Sequence, residues 1–206
     1  MADDDIELIE RREAYRGYLR IDDYRLRHRL FDGGWSSPLV REVLDRGRCV
    51  GVLLFDPLRD VVVLIEQFRI GALAAGRAPW VIEVVAGVIE NGESADLVAR
   101  REAREEAGCE VLGLAQICDY IVSPGCSSET VALFCGRVDA GNVGGVHGLA
   151  HEGEDIRVSA VPAKRAFAAL AEGRIANSMS IIALQWLALN HEALRGRWLS
   201  ADARPT

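Results

Sequence analysis

The sequence predicts a mixed α/β (α+β) layered domain, and three observations carry that prediction. Aliphatic, β-branched runs recur between residues 49 and 161, helical segments alternate with them, and the last third of the chain has helical periodicity. The longest run, VVVLIEQFRI at residues 61–70, begins without polar alternation, as a strand covered on both faces does. A chain of 206 residues that is 50% hydrophobic and 27% charged can bury a sizeable core. One main domain with a smaller appendage is the simplest organisation.

In chain order, residues 1–12 are acidic and read as irregular, a frayed terminus. Over residues 15–30 the alternation of Tyr18, Arg20, Asp22, Tyr24, Leu26 and His28 predicts extended strands, closed by a turn at Asp32-Gly33-Gly34. Such a ribbon is only marginally stable alone and needs a surface to pack on. Arg41 and Glu42 follow in REVLDRG, and residues 49–55 form a core strand ending at Asp56-Pro57. GALAAGRAPW reads as a loop from its Gly and Pro content, and residues 80–85 as a strand leading to Gly87.

Gly87 and Gly92 predict a tight turn with positive φ. Ser94 as N-cap, Asp96 at the positive end of the dipole and Gly108 as C-terminal cap then bracket a helix. Strands are expected at residues 109–122, 130–138 and 156–161, with a turn at Ser123-Pro124-Gly125. Residues 141–153, which contain Gly141, Gly144, Gly145, Gly148 and Gly153 besides His147 and His151, read as a long mobile loop. Helices over residues 163–172 and 178–194 end the chain, the second with a core-facing stripe of Ile181, Leu184, Leu187 and Ala188 and a packed Trp186.

The chemistry concentrates in the bracketed helix. Glu102, Glu105 and Glu106 fall at i, i+3 and i+4, which puts three carboxylates on one helix face. Neighbouring like charges weaken a helix by roughly 0.2 to 0.5 kcal/mol per pair, so the cluster calls for a counter-charge. A hard divalent cation, Mg²⁺ or Mn²⁺, would supply it, and Arg101 can pair with Glu105 four residues on. The alternative is a solvated acidic face. A second acidic cluster, Glu152-Gly153-Glu154-Asp155, reads on its own as a solvated turn. Arg41 and Arg69 are either surface arginines or the planar donors a diphosphate demands. Tyr18 can stack on a base or form a cross-strand pair.

Other classes are disfavoured. A net charge of -7 argues against a nucleic-acid partner. No apolar run approaches the roughly 20 residues of a membrane span, and the acidic start is unlike a signal peptide, so a cytoplasmic protein without a membrane partner is expected. Cys49, Cys109, Cys118, Cys126 and Cys135 include no CxxC pair, so buried or half-buried thiols are expected in place of disulfides or zinc.

Gly87, Glu93, Arg101-Glu102, Ala103, Arg104, Glu105-Glu106, Ala107, Gly108 and Cys109, at their spacing, resemble the Nudix box, with Ala103 and Cys109 where the family usually has larger aliphatics. Over about residues 15–198, the blocks VVLIEQFRI, SPGCSSE, HGLAHEGEDIRV and SIIALQWL resemble the bacterial ADP-ribose pyrophosphatases of that family, with Cys126 in place of a usual glycine. The resemblance implies a Nudix α/β/α sandwich with a small N-terminal antiparallel sheet domain. Residues 1–50 would be a swapped dimerisation region and residues 51–206 the catalytic domain. It also implies a homodimer with a shared active site and Mg²⁺-dependent hydrolysis of ADP-ribose, with Mn²⁺ as a substitute. In this family Glu152 would be the general base, Glu93 and Glu105 would have supporting or metal roles, with Glu105 counted among the catalytic residues, and the backbone carbonyl of Ala86 with Glu102, Glu106 and Glu154 would hold metal. Tyr18, Arg41, Glu42, Arg69, Val88, Ser123, Pro124, Gly125 and Glu129 would bind substrate. Competing readings are hydrolysis of another nucleoside diphosphate sugar and a non-catalytic Nudix-fold sensor. Loss of the box glutamates would mark the sensor, and all are present.

Overall fold

The computed structural model describes residues 3–202. The chain divides into two compact units, one of Met1–Arg48 with Tyr120–Thr130 and one of Cys49–Asp119 with Val131–Thr206.

In the first unit, β1 (Ile6–Arg16), β2 (Arg20–His28) and β3 (Leu39–Asp45) form an antiparallel sheet in the order β1-β2-β3. The expected irregular terminus is therefore a strand from Ile6 onward, while Met1 and Ala2 lie outside the described residues. The charges that made this stretch look irregular pair across the strands instead: Arg11 with Asp22, Arg12 with Asp23 and Arg27 with Glu7. Asp22 is 1% exposed. The Arg20 guanidinium first, then that of Arg11, holds its carboxyl below the usual range despite desolvation. The turn at Gly33 and Gly34 has φ of 90° and 78°, as its sequence requires. The Tyr120–Thr130 segment joins this unit through main-chain bonds from Leu44 N–H to the Cys126 carbonyl (2.8 Å) and from Ser128 N–H to the Leu44 carbonyl (3.0 Å).

The larger sheet contains β4 (Arg48–Asp56), β5 (Val61–Phe68), β6 (Trp80–Glu83), β7 (Val85–Ile89), β8 (Gly113–Ile121), β9 (Thr130–Arg137), β10 (Gly145–His147) and β11 (Ile156–Pro162). Its main path runs β10-β11-β5-β4-β9-β8, with β6 added to β5 and β7 to β4. Among the described residues, four α-helices accompany it: α1 (Ile70–Ala74), α2 (Ala95–Ala107), α3 (Ala163–Ala171) and α4 (Ser178–Asp202). Side chains of β4 point alternately to the two faces. Val50, Val52 and Leu54 join a core with Val98, Ala99, Ala103 and Ala107 of α2. On the other face Gly51 meets Met179, and the Phe55 ring meets His191 and Trp198 of α4 at 5.6 and 6.2 Å. Helices thus cover both faces, which is the expected α/β/α sandwich.

Several local expectations are corrected. GALAAGRAPW is not all loop: Ile70–Ala74 turns helical, its alanines and Leu73 outweighing one glycine. The glycine-rich stretch before β11 holds β10 and a 3-10 turn at Ala150–Glu152. Helix α4 runs on to Asp202, since burial of Leu194 and Trp198 outweighs the cost of Gly196, about 1 kcal/mol. Its buried side comprises Ser180, Ala183, Leu184, Leu187, Leu194 and Trp198, whereas Ile181 and Trp186 are half-buried and Ala188 is exposed. Cys126 is exposed, while the other four thiols are buried or half-buried. Burial pushes the Cys109 thiol up to about 11 and those of Cys118 and Cys135 upward too. Among the described residues, no helix is long and apolar enough to cross a membrane.

Candidate active site

Helix α2 follows a turn in which Glu93 Oε2 accepts from Glu90 N–H (3.0 Å) and Gly92 takes φ of 91°. Ser94 is the extended N-cap residue, but its hydroxyl engages Asp96 and not the helix main chain, and that bond holds the Asp96 carboxyl below its usual range. Gly108, at φ 63°, caps the other end with bonds to the Arg104 and Ala103 carbonyls. The two aliphatic departures are fully packed, Ala103 at 0% and Cys109 at 2% exposure. Gly87 departs from expectation. It lies in β7 without positive φ, and a Cβ there would collide with the Glu102 carboxylate. The chain needs glycine at this point for close approach.

That approach places Glu102 beside the main chain of β7, to which Glu106 is also tied. Glu106 Oε2 accepts from Ala86 N–H at 3.0 Å. Glu106 is 4% exposed, and burial first pushes its carboxyl up to about 8. The Ala86 N–H opposes the shift, the negative charges of Glu102 and Glu154 reinforce it, and Arg69 offsets part of it. Glu154 belongs to the segment after β10, where its Oε2 accepts from Leu149 N–H at 2.9 Å. Gly148 N–H bonds the Glu105 carbonyl (3.4 Å), and the His147 ring lies against Gly108, so this segment docks on the end of α2. Arg101 faces three carboxylates: Glu102 at 3.0 Å, Glu105 at 3.4 Å and Glu93 at 3.7 Å.

These groups fit a hard divalent cation, being carboxylates drawn together at a cost that positive charge would relieve. No three His, Cys, Asp or Glu side chains among the described residues stand close enough to enclose an ion. A partial shell of this kind suits a cation that keeps waters and shares oxygens with a phosphate substrate.

The other sequence-predicted residues divide between the units. In the second, Arg69 pairs with Glu83 at 2.7 Å, and Val88 is exposed on β7. Burial raises the Glu83 carboxyl while Arg69 pulls it down. The first unit holds Tyr18, Arg41, Glu42, Ser123, Pro124, Gly125 and Glu129. Tyr18 is 92% exposed at the β1–β2 turn, with the Arg46 guanidinium 5.9 Å from its ring centroid. Arg41 and Glu42 are exposed on β3, and Arg41 Nη1 donates to the Val40 carbonyl (2.9 Å). Ser123 starts a turn closed by Cys126 N–H and Ser127 N–H on its carbonyl. Cys126 has no positive φ, so cysteine serves there without strain. Glu129 N–H donates to Ser127 Oγ (3.1 Å). Glu152 closes the 3-10 turn, and its side chain lies outside the described part of the structure.

Arg46, Glu83 and the threefold role of Arg101 were missed in the sequence. Glu83 could have been suspected as an acidic residue interrupting the apolar WVIEVV strand.

Comparison with known proteins bears on the same residues. Residues 45–176 match the NUDIX domain family. The chain is 50% identical over 194 residues to the ADP-ribose pyrophosphatase of Escherichia coli (strain K12), covering 94% of this chain and 93% of that one. It is 41% identical over 197 residues to the ADP-ribose pyrophosphatase of Haemophilus influenzae, covering 94% and 91%. A crystal structure of an ADP compounds hydrolase shares the fold at a TM-score of 0.71 and 18% identity, over 94% of this chain and 96% of that one. With the box residues gathered on α2 and β7, and with this breadth of similarity, the chain belongs to the Nudix family.

Proposed function

We propose that the protein hydrolyses the diphosphate linkage of ADP-ribose to AMP and ribose 5-phosphate in the cytoplasm, with Mg²⁺ as its cation and Mn²⁺ as a substitute. The observation that carries this is the buried Glu106 carboxyl, tied to Ala86 N–H and repelled by Glu102 and Glu154. The similarity to ADP-ribose pyrophosphatases over nearly the whole chain supports the choice of substrate.

Glu102, Glu106, Glu154 and the Ala86 carbonyl would hold the cation, which supplies positive charge against that building on the diphosphate oxygens. Glu152 takes the proton of the attacking water. Arg101 keeps Glu102, Glu105 and Glu93 in register, and Glu105 supports the reaction from the same helix face. Arg69, Arg41, Glu42, Val88, Ser123, Pro124, Gly125 and Glu129 bind the substrate, and Tyr18 stacks on the base. A homodimer in which residues 1–50 of one chain complete the site on residues 51–206 of the other accounts for β1. That edge strand is exposed along all of Ile6–Arg16, including Ile6, Leu8, Ile9 and Tyr15.

Glu152→Gln tests the base. Turnover is expected to fall by about 10² to 10⁴, with ADP-ribose affinity kept. Collapse of affinity with turnover retained at saturation would make Glu152 a binding residue instead.

A further inference from the structure

Successive residues of β5 and β11 point to opposite faces of the larger sheet. Val63 and Ile65 of β5 and Ile156 and Val158 of β11 pack in the core shared with α2, the helix that carries Glu102 and Glu106. Leu64 and Glu66, paired across the strands with Ser159 and Arg157, therefore face away from α2. On that far face, against α3, lies a cavity of about 300 Å³, at the lower end of the range of roughly 300 to 1,000 Å³ usual for small-molecule sites. None of the residues placed above in metal binding, catalysis or substrate binding lines it.

The charges around this cavity do not balance. Arg157, Arg165 and Arg174 line it with one carboxylate, Glu66. Glu66 is engaged by Arg157 across the strands, which leaves the charges of Arg165 and Arg174 in excess. Arg165 has no carboxylate partner among the described residues. Arg174 pairs at 2.7 Å with Glu172, which is not part of the lining, and both side chains are more than half exposed, so that pair holds Arg174 weakly. Arg165 stands in the first turn of α3 and Arg174 just beyond its last, so the two cations flank the cavity from the ends of a helix about 13 Å long. The floor is apolar and buried, formed by Leu64, Ala166, Ala169 and Ile175. Pro162, the residue that precedes α3, is also in the wall, so the positive end of that helix adds to the potential.

We propose that this cavity is a binding site for a small linear dicarboxylate, with one carboxylate on the Arg165 guanidinium, the other on that of Arg174, and the short carbon chain on the apolar floor. A guanidinium receives a carboxylate through two parallel N–H···O bonds, and two carboxylates match the two excess charges. A single phosphate would gather both negative charges at one point and leave the apolar floor uncovered. The site goes beyond the proposed hydrolysis, and its test reads binding alone.

Calorimetric titration of the whole chain in Mg²⁺ with succinate provides that test. Butyrate, which has the same carbon chain and one carboxylate, and inorganic phosphate serve as controls. Saturable binding of succinate is expected, with butyrate and phosphate each weaker by at least about fivefold. Arg165→Gln with Arg174→Gln, two exposed substitutions, is expected to weaken succinate binding by at least about fivefold. Ser159→Phe, at an exposed position where a ring fills the cavity and leaves every charge in place, is expected to do the same. Glu106→Gln removes a carboxylate from the candidate active site and is expected to leave succinate binding unchanged. A smaller effect in either cavity variant, absence of saturable binding, butyrate or phosphate within about fivefold of succinate, or loss of succinate binding in Glu106→Gln would overturn the site. ADP-ribose hydrolysis assayed separately keeps that outcome distinct from failure of the proposed function.

Discussion

Gly87 shows how close the box is packed at the level of single residues. Conformational freedom is not what it supplies; the Glu102 carboxylate occupies the space a Cβ would take. Gly87→Ala should displace Glu102, and a misplacement of about 1 Å can cost on the order of 10²-fold in rate. Steady-state kinetics are expected to show at least a tenfold fall in kcat, and thermal unfolding a loss of about 1 to 3 kcal/mol from overpacking. Unchanged kcat would mean that Glu102 can move without consequence. The three box glutamates were legible because a helix converts fixed spacing into a shared face. The Arg69–Glu83 pair was not, because its partners meet only through the pairing of β5 with β6, fourteen residues apart. Glu106's raised proton affinity was likewise illegible, since burial is a property of packing.

Among the elements, the β4–β5 turn depends on one buried carboxylate. Asp56, 1% exposed, accepts from Leu58 N–H (2.8 Å), Arg59 N–H (3.0 Å), Arg59 Nη1 (2.9 Å) and Ala140 N–H (2.9 Å). Desolvation alone would raise its proton affinity, but these bonds outweigh it and the carboxyl sits below its usual range. The folded form therefore holds this proton less tightly than the unfolded chain does. Its stabilisation is complete above the unfolded value of about 3.9 and is lost as pH falls through the folded value. Asp56→Asn, which turns an amide toward donors, is expected to lower stability by about 1 to 3 kcal/mol at neutral pH and to flatten the acid limb of the stability curve. Denaturant unfolding at pH 7 and at pH 3 measures both, and an unchanged acid limb would remove Asp56 from that role. Most strands were legible from their β-branched runs. β1 was not, because its charged side chains, which pair with those of β2 across the sheet, read in composition alone as a polar tail.

For the molecule as a whole, layered α/β architecture followed from alternating runs, whereas the membership of Tyr120–Thr130 in the first unit could not, since it rests on the distant Leu44–Ser127 bridge. A two-fold partner would cover the exposed β1 edge and make the site a product of two chains. Chains carrying Tyr18→Ala with Arg41→Ala can be unfolded and reassembled with Glu106→Gln chains, each inactive alone. Heterodimers are expected to regain activity at up to half of their sites. Demonstrated heterodimers without activity would exclude a site shared across chains.

The most direct test of the central claim is product analysis during steady-state hydrolysis, with ADP-ribose, ADP-glucose, NADH and diadenosine polyphosphates offered separately at equal concentration. The expected result is AMP and ribose 5-phosphate in equal amounts from ADP-ribose, at the highest kcat/KM of the set, abolished by a chelator and restored by Mg²⁺. Folded, Mg²⁺-loaded protein that leaves ADP-ribose intact, or prefers another of these substrates, would contradict it.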